Sequence, residues 1–311
     1  MKKVVVVGAG MMGSGIAAVS ALAGNETILV DRTSEGACSG REKALACIRE
    51  LQENGLAEPD TEAGMRIAAS GNLETAVEGA SLVIEAIYEN LPAKQEMFER
   101  LDSLLEADVP IVSNTSGMRI TDIAARAVRH PERTMTAHFW MPAHLVPLVE
   151  VVMWEKTDPS IAEQVRDLLK EWGKAPVLVK KDLPGQLANR ILQAIIREAA
   201  NIVDIGLASP EDVDTAIKAG MGLRFPAWGP LEHVDAVGLD LCLSVQDNVL
   251  PQISSSTDNP YMHRLVEQGA LGNKTKHGFY NWEEKDMDSL AERRNKFIMA
   301  ALRELKKLDE E

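Results

Sequence analysis

Residues 4–15 read VVVVGAGMMGSG. Four β-branched valines run into Gly8, Gly10 and Gly13 at the spacing G-x-G-x-x-G, and IAAVSALA (16–23) follows with helical composition. The order strand, glycine turn, helix narrows the fold more than any other stretch, although three glycines alone mark any tight turn. A second apolar run then ends at Asp31, 18 residues past Gly13. A Rossmann fold sets a carboxylate at about that distance, against the adenine ribose hydroxyls. In that reading Gly8 makes the turn, Gly10 lets the backbone approach a pyrophosphate and Gly13 permits close helix packing, while the helix N-terminus offers unpaired N–H groups. Asp31 would repel a 2′-phosphate, which favours NAD over NADP, although Arg32 beside it weakens the point. The alternative reading of Asp31 is a turn residue at a strand end.

Short apolar runs recur at 27–30, 81–88, 110–114, 136–140, 145–152 and 175–180, with helical patterns between most of them. Runs of this kind are buried strands of a sheet covered on both faces, so the alternation predicts a doubly wound α/β domain over residues 1–181. Asp158 as cap, Pro159 in the first position and Gly173 as stop punctuate one helix. From 182 to 311 helical periodicity replaces the strands. LANRILQAIIREAANIVDIG is expected to stop at Gly206, SPEDVDTAIKAG to start on Ser209 and Pro210 and to stop at Gly220, and a charged helix to close the chain near 286–307. The fold class is thus α/β, an N-terminal Rossmann sheet followed by an all-helical C-terminal domain.

The balance of 33 Lys and Arg against 47 Asp and Glu gives a formal charge of −14. Polyanions are repelled by such a surface, so neither nucleic acid nor an anionic membrane is an expected partner. Cys38, Cys47 and Cys242 form no C-x-x-C pair, which excludes a disulfide framework and a sulfur-based zinc site and suits a reducing cytoplasm. No metal is expected. Glycines interrupt the first apolar stretch too early for a signal sequence or membrane span.

A nicotinamide enzyme needs a group that takes or gives the alcohol proton while hydride moves. The tyrosine solution requires lysine four residues on, yet Tyr88, Tyr261 and Tyr280 are followed there by Pro92, Leu265 and Glu284. With zinc unsupported, a histidine base remains. His138 sits near the end of a predicted strand in TMTAHFWMP, where open α/β sheets place ligands, and Glu150 lies in the next strand, PLVEVV. A carboxylate there can orient one imidazole nitrogen and stabilise the imidazolium; equally, the histidine could be structural and the glutamate an inward charge on an edge strand.

The chain resembles the 3-hydroxyacyl-CoA dehydrogenase family. The resemblance is carried by GAGMMGSGIA, VIEAIYEN with Lys94 after it, SNTS, HFWMP leading to LVEVV, PGQLANR, EDVDTAIKAGMG, HVDAVGLD and KTKHGFYNW, in the family's order across residues 4–282. It implies a Rossmann domain, a helical domain that forms a homodimer, and an active site in the cleft between them. It further implies His138 as acid/base, Glu150 as its orienting partner, and Ser116 and Asn189 on the reacting oxygen. For NAD it points to Gly8, Gly10, Met11, Met12, Gly13, Asp31, Glu89, Lys94, Ser116 and Lys274. Read without it, Ser116 either faces the cofactor or caps ITDIAARA, and Asn189 either reaches the substrate or caps a helix.

The departures from the family pattern concern the substrate. HFFNP is here HFWMP, so Met141 replaces a cofactor-contacting asparagine, and PGF is PGQ with Gln186. In GREKALACIRELQENG (40–55) the three basic residues are matched by Glu42, Glu50 and Glu53, where acyl-CoA members carry a basic stretch for the CoA phosphates. Gly117 after SNTS and Arg224 in MGLRFPAWGP are similar to the relatives that oxidise carnitine, gulonate or a pyridine carboxylate. Arg224 is either a two-pronged carboxylate anchor or a surface ion pair. The expected activity is NAD-dependent hydride transfer on a small carboxylate-bearing 3-hydroxy acid. Short-chain 3-hydroxyacyl-CoA thioesters and a catalytically weak NAD-binding protein are the alternatives.

Overall fold

The computed structural model of the protein describes residues 1–310. Eight strands form one sheet: β1 (Lys3–Val7), β2 (Glu26–Val30), β3 (Ile67–Ser70), β4 (Leu82–Glu85), β5 (Ile111–Ser113), β6 (Thr134–Phe139), β7 (Leu148–Val152) and β8 (Ala175–Val179). Their spatial order is β3-β2-β1-β4-β5-β6-β7-β8. Every neighbouring pair is parallel except β6 and β7, which run antiparallel. The valines of β1 explain why it is central: Val4 and Val6 enter one core cluster and Val5 and Val7 the other, so both faces of the strand are buried. The strand order reverses beside β1, which opens a crevice at the carboxyl ends of β1 and β4.

Sequence periodicity does not reveal β3. Its segment, IAAS, has one β-branched residue, and as an edge strand it pairs with β2 alone. The helix Pro159–Glu171 follows its punctuation, with Asp158 accepting the Ser160 amide at 2.8 Å and Gly173 at φ +72°.

The chain divides into two compact units, Met1–Ala188 with Phe297–Glu304, and Asn189–Lys296 with Leu305–Glu311. The composition changes at 182, but residues 182–188 remain with the first unit because hydrogen bonds hold them there. Asp182 accepts from the Thr121 amide and hydroxyl at 2.8 and 2.6 Å, and Gln186 donates to the Thr115 carbonyl at 3.1 Å.

The second unit is built of helices, among them Pro210–Ala216, Pro230–Val237, Leu239–Val249 and Pro260–Glu267, with isolated bridges joining Gly272, His277 and Asn281. Ser209 caps its helix, accepting the Asp212 amide at 3.1 Å. The expected stop at Gly220 is corrected: a π-turn over Ile217–Met221 carries the helix on into Gly222–Arg224. A glycine stops a helix by turning left-handed, as Gly206 does at φ +70°, whereas Gly220 is absent from the positive-φ glycines. Among the described residues, no helix is long and apolar enough to cross a membrane.

Candidate active site

A cavity of about 890 Å³ opens in the first unit, lined by Gly8, Gly10, Met11, Asp31, Tyr88 and Met141 among others. The helix Met11–Leu22 begins at this cavity with Gly10 at its N-cap, so its first amides, from Met11 onward, form the wall. Each glycine has its own reason. A Cβ on Gly8, at φ +111°, would lie 2.4 Å from the Ala86 carbonyl oxygen, and one on Gly13 would lie 1.8 Å from that of Gly8. One on Gly10 would meet no atom within 4 Å. A methyl there would project into open space, which is what a residue pressed against a pyrophosphate requires. Asp31 follows β2; its Oδ2 accepts the Ala9 amide at 3.0 Å and its Oδ1 the Arg32 amide at 2.8 Å. This fixes the carboxylate against the glycine turn, with acceptor capacity left for ribose hydroxyls. The residues present therefore fit a dinucleotide.

Beneath the next part of the site is a buried charge network. Lys94 and Glu85 are 1% and 0% exposed, with Nζ 2.7 Å from Oε1 of Glu85 and 3.4 Å from Oε2 of Glu89. Ser113 donates to the other oxygen of Glu85 at 2.6 Å. Glu89 accepts the Ser116 amide at 2.8 Å and the Thr115 hydroxyl at 2.9 Å. Glu89 and Lys94 thus brace the SNTS loop that presents Ser116. The cap reading of Ser116 is set aside, because the following helix, Ile120–Ile123, has Arg119 at its N-cap position.

His138 and Glu150 face each other directly across the β6–β7 register. Nδ1 of His138 is 2.8 Å from Oε2 of Glu150, and the two residues are 5% and 0% exposed. Glu150 accepts three further donors: the Trp140 indole N–H at 2.9 Å on Oε2, and the amides of Leu187 and Ala188 at 2.9 and 2.8 Å on Oε1. Burial pushes the carboxyl up, but His138, Trp140 and the two amides outweigh it and hold it at about 2. Glu150 is therefore an anion at neutral pH, able to orient the Nδ1–H tautomer and leave Nε2 as the proton acceptor.

The same amides open the helix Ala188–Asp204, so Glu150 supplies that helix's N-terminal cap and Asn189 lies inside its first turn. Asn189, Arg224 and Lys274 belong to the second unit. There Arg224 is exposed, its Nη2 3.1 Å from Nδ1 of His233 and its guanidinium 5.8 Å from the Trp228 ring centroid. Lys274 lines an apolar hollow of about 530 Å³ with Tyr280 and Trp282.

Sequence reasoning missed Glu85, Trp140 and Lys174. Glu85 carried a signal, a charge inside the apolar run SLVIEAIY. Lys174, buried behind the loop after Pro142, donates to the carbonyls of Ala143 and Val146 at 2.6 and 3.1 Å; nothing around it in the sequence marks it.

A dinucleotide crevice beside a buried histidine–carboxylate couple defines a nicotinamide-dependent dehydrogenase. Residues 3–183 match the 3-hydroxyacyl-CoA dehydrogenase NAD binding domain, and residues 185–282 match that family's C-terminal domain. The chain belongs to the 3-hydroxyacyl-CoA dehydrogenase family and is an NAD-dependent oxidoreductase acting on CH–OH groups. It is 33% identical over 302 residues to 5-formyl-3-hydroxy-2-methylpyridine 4-carboxylate 5-dehydrogenase of Mesorhizobium japonicum, covering 96% of each chain. It is 38% identical over 291 residues to a probable 3-hydroxybutyryl-CoA dehydrogenase of Bacillus subtilis, covering 92% of this chain and 99% of that one. A crystal structure of a 5-formyl-3-hydroxy-2-methylpyridine 4-carboxylic acid 5-dehydrogenase, an NAD+-dependent dismutase, superposes with a TM-score of 0.90 at 32% identity, covering 98% of this chain and 99% of that one.

Proposed function

We propose that the protein transfers hydride between NAD and the secondary alcohol or ketone of a small, carboxylate-bearing 3-hydroxy acid. The observation that carries the chemistry is the His138–Glu150 couple, at 2.8 Å. When bound, NAD supplies the hydride acceptor. Gly8, Gly10, Met11, Met12 and Gly13 hold its pyrophosphate and Asp31 its adenine ribose, while Glu89 and Lys94 set the loop that carries Ser116. His138 takes the hydroxyl proton on Nε2, and Glu150 stabilises the imidazolium through Nδ1–H. Ser116 and, from the family resemblance, Asn189 polarise the reacting oxygen, and Lys274 completes the cofactor contacts by the same resemblance.

Two observations support a free acid over a CoA thioester. In the helix Ser34–Glu53, Arg41 donates to the carbonyls of Ile67 and Gly64 at 2.7 and 3.3 Å and pairs with Glu42, so it is not free for a phosphate, whereas Glu50 pairs with His144 at 2.9 Å instead of with a basic residue of its own helix. Arg224, exposed beside His233 and Trp228, is a guanidinium suited to a carboxylate. The pyridine carboxylate in the name of the Mesorhizobium japonicum relative agrees with this. The 38% identity to the Bacillus subtilis protein favours the second reading, short-chain 3-hydroxyacyl-CoA.

The experiment is NADH formation with purified protein against free 3-hydroxy acids, including a pyridine series, and against short 3-hydroxyacyl-CoAs. Free-acid turnover that collapses in Arg224→Met supports the proposal; turnover confined to thioesters overturns it. In His138→Gln, turnover falls about 10²–10⁴-fold with NAD affinity retained. We further place the enzyme in the cytoplasm as a homodimer. Leu231, Leu239 and Leu243 of the second unit, 80%, 66% and 58% exposed, support a face that a second copy covers, which light scattering tests.

A further inference from the structure

We propose that Trp140 is a positioning residue of the proton-transfer couple: its indole N–H, donated to the carboxylate oxygen that also holds His138, weakens the hold on the imidazolium and biases the enzyme toward alcohol oxidation. The inference rests on His138 being the acid/base.

The two oxygens of Glu150 have separate duties. Oε1 takes only backbone amides, from Leu187 and Ala188, whereas Oε2 takes both side chains, His138 Nδ1 at 2.8 Å and Trp140 Nε1 at 2.9 Å. Trp140 directly follows the last residue of β6, and its ring centroid lies 5.7 Å from that of His138. The charged groups on the elements packed on Glu150 are His138 of β6 and Arg190 in the first turn of the helix Ala188–Asp204. β6 presents His138, β8 places Val177 opposite Glu150, and the start of the helix Ala188–Asp204 presents amides. The family motif has phenylalanine at the position of Trp140, and phenylalanine has no donor.

In the oxidation direction His138 must arrive neutral and leave as imidazolium, the proton coming from the substrate hydroxyl. A second donor on Oε2 disperses the negative charge that attracts the imidazolium. Without it Oε2 becomes a stronger acceptor and the protonated ring is favoured. Oxidation then loses activity at a higher pH, while ketone reduction, which needs the proton in place, persists to a higher pH.

The test is Trp140→Phe, read by 15N-histidine NMR titration of the whole protein, with the His138 signal assigned by its loss in His138→Gln. The expected result is a His138 midpoint higher by about half to one pH unit, the size of one net hydrogen bond, matched by the acid limb of kcat/KM for oxidation. An unchanged midpoint overturns the proposal, even where turnover falls, because a side chain that only fills space does not move it. Should Trp140→Phe fail to fold, β-(3-benzothienyl)alanine at position 140 keeps the ring shape and removes only the N–H. Full turnover of His138→Gln would instead remove the acid/base assignment, a result distinguishable from an unmoved midpoint.

Discussion

The ammonium of Lys94 lies 2.7 Å from Oε1 of Glu85 in a pair closed to solvent, directly below the loop that carries Ser116. Removing Lys94 leaves the buried Glu85 carboxylate without a counter-charge, so Lys94→Met should lower unfolding free energy by about 3–5 kcal/mol, whereas Glu85→Gln leaves the ammonium its contact with Glu89 at 3.4 Å and should cost less. Urea unfolding checks this. The double variant Glu85→Gln/Lys94→Met should lose less than the sum of the two, and strict additivity would contradict the pairing.

Gly10 and Gly13 predict opposite phenotypes. In Gly13→Ala the methyl meets the Gly8 carbonyl at 1.8 Å, so the backbone must move, at a cost of at least about 2 kcal/mol in stability. In Gly10→Ala the methyl meets nothing, so thermal unfolding stays near that of the parent. Its NAD Kd, measured by calorimetry, should instead rise tenfold or more, about 1.4 kcal/mol, because the methyl occupies ligand space.

Burial pushes Lys174 down to about 7. Its unfolded value is about 10.4, so between those two values the unfolded chain binds a proton that the native chain lacks. Stability from this group therefore rises with pH from about 7 to 10.4. Urea unfolding at pH 7 and pH 9 should show wild type gaining on Lys174→Met across that interval; a constant difference would refute the assignment.

Glu150 has the opposite profile. Its folded value of about 2 lies below an unfolded value of about 4.3, so its stabilisation is complete above that range and is lost as pH falls toward 2. Glu150→Gln should be clearly less stable than the parent at pH 6, and the two should converge near pH 2, as followed by circular dichroism. Parallel curves across the range would count against it.

The parts of the site that lie close in sequence were legible there. The valine run, the glycines and Asp31 form one local unit, and His138 and Glu150 sit on consecutive strands joined by a short connection. The pairing of Glu150 with Leu187 and Ala188 was not, because backbone amides leave no trace in residue identity and the partners are 37 and 38 positions apart. β3 escaped because its pairing comes from neighbouring β2 and not from its own alanines. Gly220 misled because glycine permits a left-handed stop without compelling one. Ser116 and Asn189 had cap readings that only the observed helix starts remove.

The four donors on Glu150 place two obligations on one side chain. One oxygen holds the rings of His138 and Trp140, and the other ties down the first turn of the helix that leads into the second unit. A substitution at this position thus acts twice: one that loosens the hold on His138 also frees a helix end.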